Sequence, residues 1–498
     1  MKLTFRPLTL PATLPSTFGA LAAAALLSAC ASFSGIHSEA QMAPADQYAS
    51  VRSLPDQGGE WPRQTWAGEL GGTELQELVD EALRSNPSLQ AAAARVASAR
   101  ALARAAAAAR LPTVGASASS TYQRYTEHGL IPPPLAGTYE SDNELALSLS
   151  WDLDFWDQHG AQLRSALALG KAAAAEEADA RLMLSTAIAH TWLQLGRQNA
   201  QLELAERQFQ LRQQLDQLTR QRIAAGLDSG GERHQAELQL ATLRADRLQW
   251  QEAMALTRNQ LAALLGQGPD RGLSIAAPQL PALGPTTLPD QLPLGLLGRR
   301  PDIVASRWRV EAAQGDIDVA KAQFYPNVNL SAFIGLSSLG LSNLLNSGSM
   351  MTGIGPALRL PIFEGGALRA QLQGRVAAYD DAVALYNRTL TEALHQVADQ
   401  VQSLRGADRQ RQERQQAVAA TAASLKLARQ RQQVGTANML QVLASESAWL
   451  SQRQLELEAQ ARQADLRVGL IKALGGGFDA AQADLTPVPG HTLAATQQ

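Results

Sequence analysis

The chain has 498 residues with 18% charged and 5% aromatic side chains, and its alanine, glutamine and leucine recur in tracts without proline, from Pro134 to Pro269 and from Pro361 to Pro487. Such tracts suit long helices better than a string of small globular modules. A formal net charge of -3 gives no basic field for nucleic acid, and beyond the N-terminus no apolar run reaches the roughly eighteen residues of a membrane helix, so only strands are left as a means of crossing a membrane.

The N-terminus carries Lys2 and Arg6, then the apolar "FGALAAAALL", then "LSAC" at 27–30. This is the construction of a secretory leader, residues 1–29. "LSAC" resembles the lipobox of bacterial lipoproteins, in which the cysteine is lipid-modified and becomes the first residue. Cys30 is the only cysteine, so it has no internal disulfide partner; a covalent lipid on Cys30 is the only attached group expected. Residues 30–72, rich in Pro, Gly, Ser and Gln, read as an extended, lipid-anchored segment. "TELQELVDEALRSNP" from Thr73 to Pro87 reads as a short helix with an acidic first turn.

From there the chain repeats itself. Pro87 to Ser119 aligns without gaps on Pro301 to Phe333, pairing Arg95 with Arg309, Val96 with Val310 and Pro112 with Pro326, an offset of 214. Further on the offset becomes 209, pairing Ile188 with Val397, Gly226 with Gly435 and Leu265-Gly266 with Leu474-Gly475. The expected divisions are a first repeat over 73–283, a second over 284–485 and a flexible tail over 486–498. Each repeat reads helix, strand, strand, long helix, turn, helix.

Strands are expected at about 113–123, 143–154, 327–337 and 353–363. In the second, Leu145, Leu147, Leu149, Trp151 and Leu153 alternate with Glu144, Ala146, Ser148, Ser150 and Asp152, one face apolar and the other wet. A soluble sandwich alternates in the same way; the leader and the repeat favour a transmembrane barrel with the five apolar side chains facing lipid. Phe155, Trp156, Phe324, Tyr325 and Phe363 fall where strand meets helix, as an interface belt would have them. Four strands do not close a barrel, so copies must complete it: two chains give eight strands and three give twelve.

Long helices are expected at about 158–223, 232–266, 365–432 and 439–474. The first and third run roughly 100 Å at about 1.5 Å per residue, beyond the needs of a globular core. Leu390, Leu394, Val397, Val401 and Leu404 are spaced as a coiled-coil seam, and Ile188, Leu195, Leu202 and Phe209 recur every seven. Such helices form either a periplasmic tube or a coiled-coil scaffold without a bore. The sequence has no P-loop, none of its seven histidines sits in a metal-ligand spacing, and no catalytic set is apparent, so neither an enzyme nor a metal site is expected.

"RRPDIVASRWRVEAAQGDIDVAKAQFYPNVNLSAFIG" at 299–335 and "PIFEGGALRAQL" at 361–372, with the lipobox and the two halves, closely resemble the TolC-like outer-membrane efflux proteins, in the lipoprotein branch of OprM and NodT type. The resemblance spans about 73 to 485. It implies a mainly α, α+β fold: a homotrimer with a twelve-stranded barrel in the outer membrane of a Gram-negative bacterium, continued by a long periplasmic α-helical barrel. It also implies a passive exit duct for drugs or other small toxic solutes, served by a periplasmic adaptor and an inner-membrane transporter of the resistance-nodulation-division class. The exit channel of a type I protein-secretion system is the alternative within transport. The turns Gly226-Leu227-Asp228 and Val434-Gly435-Thr436 resemble the tip that meets the adaptor in such proteins. Leu440 and Ala444 match positions lining the closed periplasmic aperture; an acidic residue is common at the second, and Ala444 departs from that pattern.

Overall fold

The computed structural model describes residues 33–50, 52–227, 229–284 and 287–485. In chain order its elements are α1 (Trp66–Ser85), α2 (Pro87–Ala108), β1 (Thr113–Arg124), β2 (Tyr139–Leu153), α3 (Gln158–Ala224), α4 (Gly230–Leu264), α5 (Asp270–Leu273), α6 (Leu292–Arg299), α7 (Pro301–Ala322), β3 (Asn327–Leu339), β4 (Met350–Arg359), α8 (Ala367–Gln433) and α9 (Met439–Ala473). The protein is mainly helical with one small antiparallel sheet in the order β1-β2-β3-β4. Helix lengths repeat between halves: α2 and α7 have 22 residues, α3 and α8 have 67, α4 and α9 have 35.

The chain forms two compact units. The first gathers residues 33–41, Ser98–Gly170 and Arg309–Ala384, and the second gathers 42–97, Lys171–Trp308 and 385–485. In the first, the sheet is joined to the ends of α2, α3, α7 and α8. Its helical core is Ile317, Ala320 and Phe324 against Leu372 and Val376, and Phe33 and Ile36 of the N-terminal segment pack onto it. Phe33 meets Phe324 edge to face with ring centroids 5.7 Å apart. Phe324 is therefore a core residue and not part of an interface belt: α7 ends over it and turns its ring inward. Arg369 Nη2 donates to the Ser34 carbonyl at 3.2 Å, and Ser38 bonds Asp380, so the extended segment is strapped to α8.

In the second unit α1 is the hub. Leu75, Val79 and Ala82 of α1 pack on Ile188, Trp192 and Leu195 of α3, Met254 and Leu261 of α4, and Ala464 and Val468 of α9. The helix begins at Trp66, seven residues before the expected Thr73, because its first turn precedes a kink in which Gly72 takes φ +69°. Gly71 is held so close to Trp192 that a Cβ would lie 2.7 Å from the indole. The spaced apolar residues of α8 are buried as a seam: Leu390, Leu394, Val397, Val401 and Leu404 are all below a tenth exposed.

The repeat extends to individual hydrogen bonds. Helices α4 and α9 both end in a Schellman turn. Gly266 donates to Ala263 O and Gln267 to Ala262 O, while Gly475 donates to Lys472 O and Gly476 to Ile471 O. Gly266 and Gly475 have φ of +70° and +88°, which glycine adopts without strain. Each turn docks on the head of a proline-led helix. Asn86, just before Pro87, donates from Nδ2 to Leu264 O at 2.8 Å; Arg300, just before Pro301, donates from Nη1 to Ala473 O at 3.3 Å. The "RRPD" run is thus a joint. Arg300 also grips Asp302 at 3.0 and 2.5 Å and Gln396 at 3.0 Å, and Arg299 lies over Trp61 at 5.3 Å.

Beside this joint is a cleft of about 450 Å³ lined by Asp179, His190, Arg300, Asp302, Asp465 and Lys472 among others. Burial, aided by the Asp302 carboxylate and opposed by Arg300 and Lys472, raises the Asp179 carboxyl above its ordinary range. A raised carboxyl holds its proton better folded than unfolded, so its contribution to stability is complete in acid and is lost as pH climbs from about 4 through the raised value. Asp179→Asn should therefore melt higher than the parent at neutral pH, with the difference vanishing in acid. Thermal melts of the detergent-solubilised protein across that range check this, and equal melts at neutral pH would contradict it.

Candidate functional site

The sheet builds its surface from register. Val114, Ala116 and Ala118 of β1 lie opposite Leu149, Leu147 and Leu145 of β2. These β2 residues, with Trp151 and Leu153, lie opposite Ala332, Ile334, Leu336, Leu330 and Val328 of β3. In turn Val328, Leu330 and Ala332 lie opposite Leu358, Pro356 and Ile354 of β4. Directly opposed residues share a face, so the apolar sides of all four strands form one surface, and Leu147 on it is 52% exposed. The other face carries Ser117, Ser148, Ser150, Asn329 and Ser331 with glycines between them. There Asn329 bonds Ser150 and Asp152 at 3.0 and 2.5 Å.

The apolar band has defined ends. Towards the β1–β2 loop, Ser120 donates to Asn143 Oδ1 at 2.7 Å, Asn143 is buried, and Tyr122 stacks on Tyr139 at 5.7 Å. Towards the helices, Trp151 donates to Arg110 O at 3.1 Å, and Trp156 stacks on Tyr325 at 4.5 Å and donates to Pro326 O at 2.9 Å. The eight residue steps from Leu145 to Leu153 span about 27 Å along the strand and about 21 Å vertically at a barrel's usual tilt, close to the apolar band height of about 25 Å in outer-membrane barrels. Among the described residues no helix is long and apolar enough to cross a membrane.

At the C-terminal ends of α3 and α8 lie two matching turns. Leu227 donates to Arg222 O and Gly226 to Ile223 O; Thr436 donates to Arg431 O and Gly435 to Gln432 O. Gly226 and Gly435 take φ of +71° and +76°. Leu227 and Val434 are exposed large apolar residues. The following helices are capped: Ser229 and Glu232 form a capping box on α4, and Asn438 accepts from Gln441 N on α9. Leu440 is half-buried and Ala444 exposed one turn later on α9, while Leu443 and Leu450 pack inward on Leu204 and Leu211. Cys30 and Asp228 lie outside the described residues.

One tip contact has no signal in the sequence. Glu446 reaches across the second turn to Arg429 at 3.0 Å. Its repeat partner Glu237 instead binds Arg233 and His234 of its own helix, and Arg220, the partner of Arg429, binds Asp216. The repeat matches these positions, yet their side-chain pairings differ between the halves.

The sequence profile of the family described as Outer membrane efflux protein matches residues 78–267 and 292–476. Among curated relatives, the chain is 36% identical over 369 residues to the fusaric acid resistance protein FusA of Burkholderia cepacia, covering 72% of this chain and 69% of FusA. It is 28% identical over 428 residues to the multidrug resistance outer membrane protein MdtP of Escherichia coli strain K12, covering 84% and 88%. The crystal structure of the outer membrane protein VceC from Vibrio cholerae matches with a TM-score of 0.77 at 39% identity, over 84% of this chain and 100% of that one. The chain belongs to the outer membrane efflux protein family, with its TolC-like channel fold. It is an outer-membrane protein with a periplasmic portion, in a family of ducts and not of enzymes.

If the aligned apolar surface faces lipid, Leu147→Arg should weaken the assembled protein by about 2–4 kcal/mol and Ser148→Arg, on the other face, far less. Thermal dissociation on semi-native gels distinguishes them; equal losses would mean that both faces share one environment.

Proposed function

We propose that this protein is the outer-membrane exit duct of a tripartite efflux pump, working as a homotrimer. The observation that carries the reading is the single apolar surface shared by four strands whose end strands, β1 and β4, each pair with only one neighbour among the described residues. Three copies joined edge to edge give a closed barrel of twelve strands with the polar faces around a water-filled bore. Each strand is covalently continued by a helix, α2 into β1, β2 into α3, α7 into β3 and β4 into α8, so a ring of strands continues into a ring of long periplasmic helices. Energy comes from an inner-membrane transporter of the resistance-nodulation-division class, reached through a periplasmic adaptor. The resistance functions named for FusA and MdtP support drugs and other small toxic solutes as the cargo.

In this reading Cys30 carries the lipid anchor. Phe33, three residues on, is packed against Phe324 just before β3, and three residues of chain reach about 10 Å at most, which suits an anchor at the inner surface of the outer membrane. The turns at Gly226-Leu227-Asp228 and Val434-Gly435-Thr436 meet the adaptor. Leu440 and Ala444 line the periplasmic aperture as an apolar constriction without an anionic ring.

Purified protein added to planar bilayers should form stable, ohmic pores. Gly435→Asp should still assemble and insert but lose adaptor cross-linking and efflux in cells that carry a cognate transporter and adaptor, because an aspartate strains the positive φ and charges the docking turn. Full efflux by Gly435→Asp would place docking elsewhere on the helices, and transport of an unfolded protein in place of small solutes would favour a secretion channel.

A further inference from the structure

The polar face of the sheet holds one feature that neither closure nor docking uses. Among the described residues on that face, Phe333 is the only aromatic. It lies opposite Ser148 on β2 and opposite Gly353 on β4, with Ser331 and Gly335 two residues away on its own strand. A Cβ on Gly353 would stand 2.5 Å from Phe333 Cε1 and 2.6 Å from Cζ. The ring is therefore laid over the bare backbone of Gly353 and does not stand out into solvent, and it is still 46% exposed. Nothing else lies within 4 Å of a Cβ on Gly355, the next residue of that face.

We propose that Phe333 is a specificity-determining residue of the bore, a fixed apolar plane on which aromatic solutes rest as they pass through the barrel. The inference rests on the reading above, in which the polar face lines the lumen. Seating on Gly353 confines the ring, so a solute that stacks on it loses little further freedom of the ring. Serine, glycine and alanine surround it, and Met351, opposite Gly335, is the one other large apolar side chain beside it on that face among the described residues, without an aromatic plane. In a closed trimer three such rings stand at one level of a bore whose other described residues include no aromatic side chain. An offset-stacked aromatic contact corresponds to about a three- to tenfold change in dwell, a bias among solutes and not a gate. Position 333 has an ordinary competing role: covering the gap that Gly353 leaves in the sheet. The test has to separate the two.

Single trimers in planar bilayers are titrated with ethidium, a planar aromatic cation, and with tetraethylammonium, a cation of the same charge without a ring. The parent should show half-block by ethidium at a concentration three- to tenfold below that of Phe333→Ala, while half-block by tetraethylammonium is the same in both. Phe333→Tyr, which keeps the plane, should behave as the parent. If Phe333→Ala does not assemble, Phe333→Leu keeps the cover over Gly353 without the ring and carries the same comparison. Equal ethidium block in parent and ringless variant, no ethidium block of the parent, or an equal shift for both cations would overturn the proposal while leaving the channel intact. A parent without conductance would overturn the channel reading and this inference with it.

Discussion

The structure depends on how the backbone groups at the sheet's two outer strands are satisfied. A strand edge exposed to hydrocarbon leaves N–H and C=O groups unpaired at several kcal/mol each. Here β1 and β4 each find one partner within the chain, and the surface they share is apolar across all four strands. A sheet of this kind is stable in a bilayer only when its edges meet other edges. In the proposed trimer, copies of the same chain supply those edges.

The second constraint is joining a two-residue period to a 3.6-residue one four times in one chain. At the two junctions that follow proline, the chain solves this with similar means in each half, α2 running to β1 past Pro112 and α7 to β3 past Pro326. Trp156 and Tyr325 brace two of the junctions against each other. At the heads of α2 and α7, Asn86 and Arg300 hold equivalent carbonyls, Leu264 and Ala473, with different side chains. Conserving the bond while changing the donor suggests that the joint's geometry is what both halves require. In the second half the donor is charged, and it brings Asp302, Gln396 and a titrating neighbour, Asp179, into the joint.

Much of this was legible in the sequence because the signals are local. Leucine alternating with alanine and serine at 145–150 marks β2 and its two faces, and proline-free tracts mark α3 and α8 at 67 residues each. β1 reads weakly because its side chains are small, and only pairing with β2 gives it an apolar face. What the sequence hid is long-range. Gly71-Gly72 resembled linker, but the pair lets α1 begin at Trp66 and press on Trp192. Phe324 resembled a belt aromatic, but the N-terminal strap turns it into core. The Arg429–Glu446 pair and the seating of Phe333 on Gly353 depend on the register of distant segments, which no one-dimensional pattern encodes.

The central claim is that the two free edges close on copies of the same chain, and the stoichiometry of the detergent-solubilised protein tests it most directly. Light scattering with the detergent contribution subtracted should return three protein chains per particle, the mass falling to one chain only on denaturation. A stable folded particle with a single chain, its four-stranded sheet intact, would contradict the account.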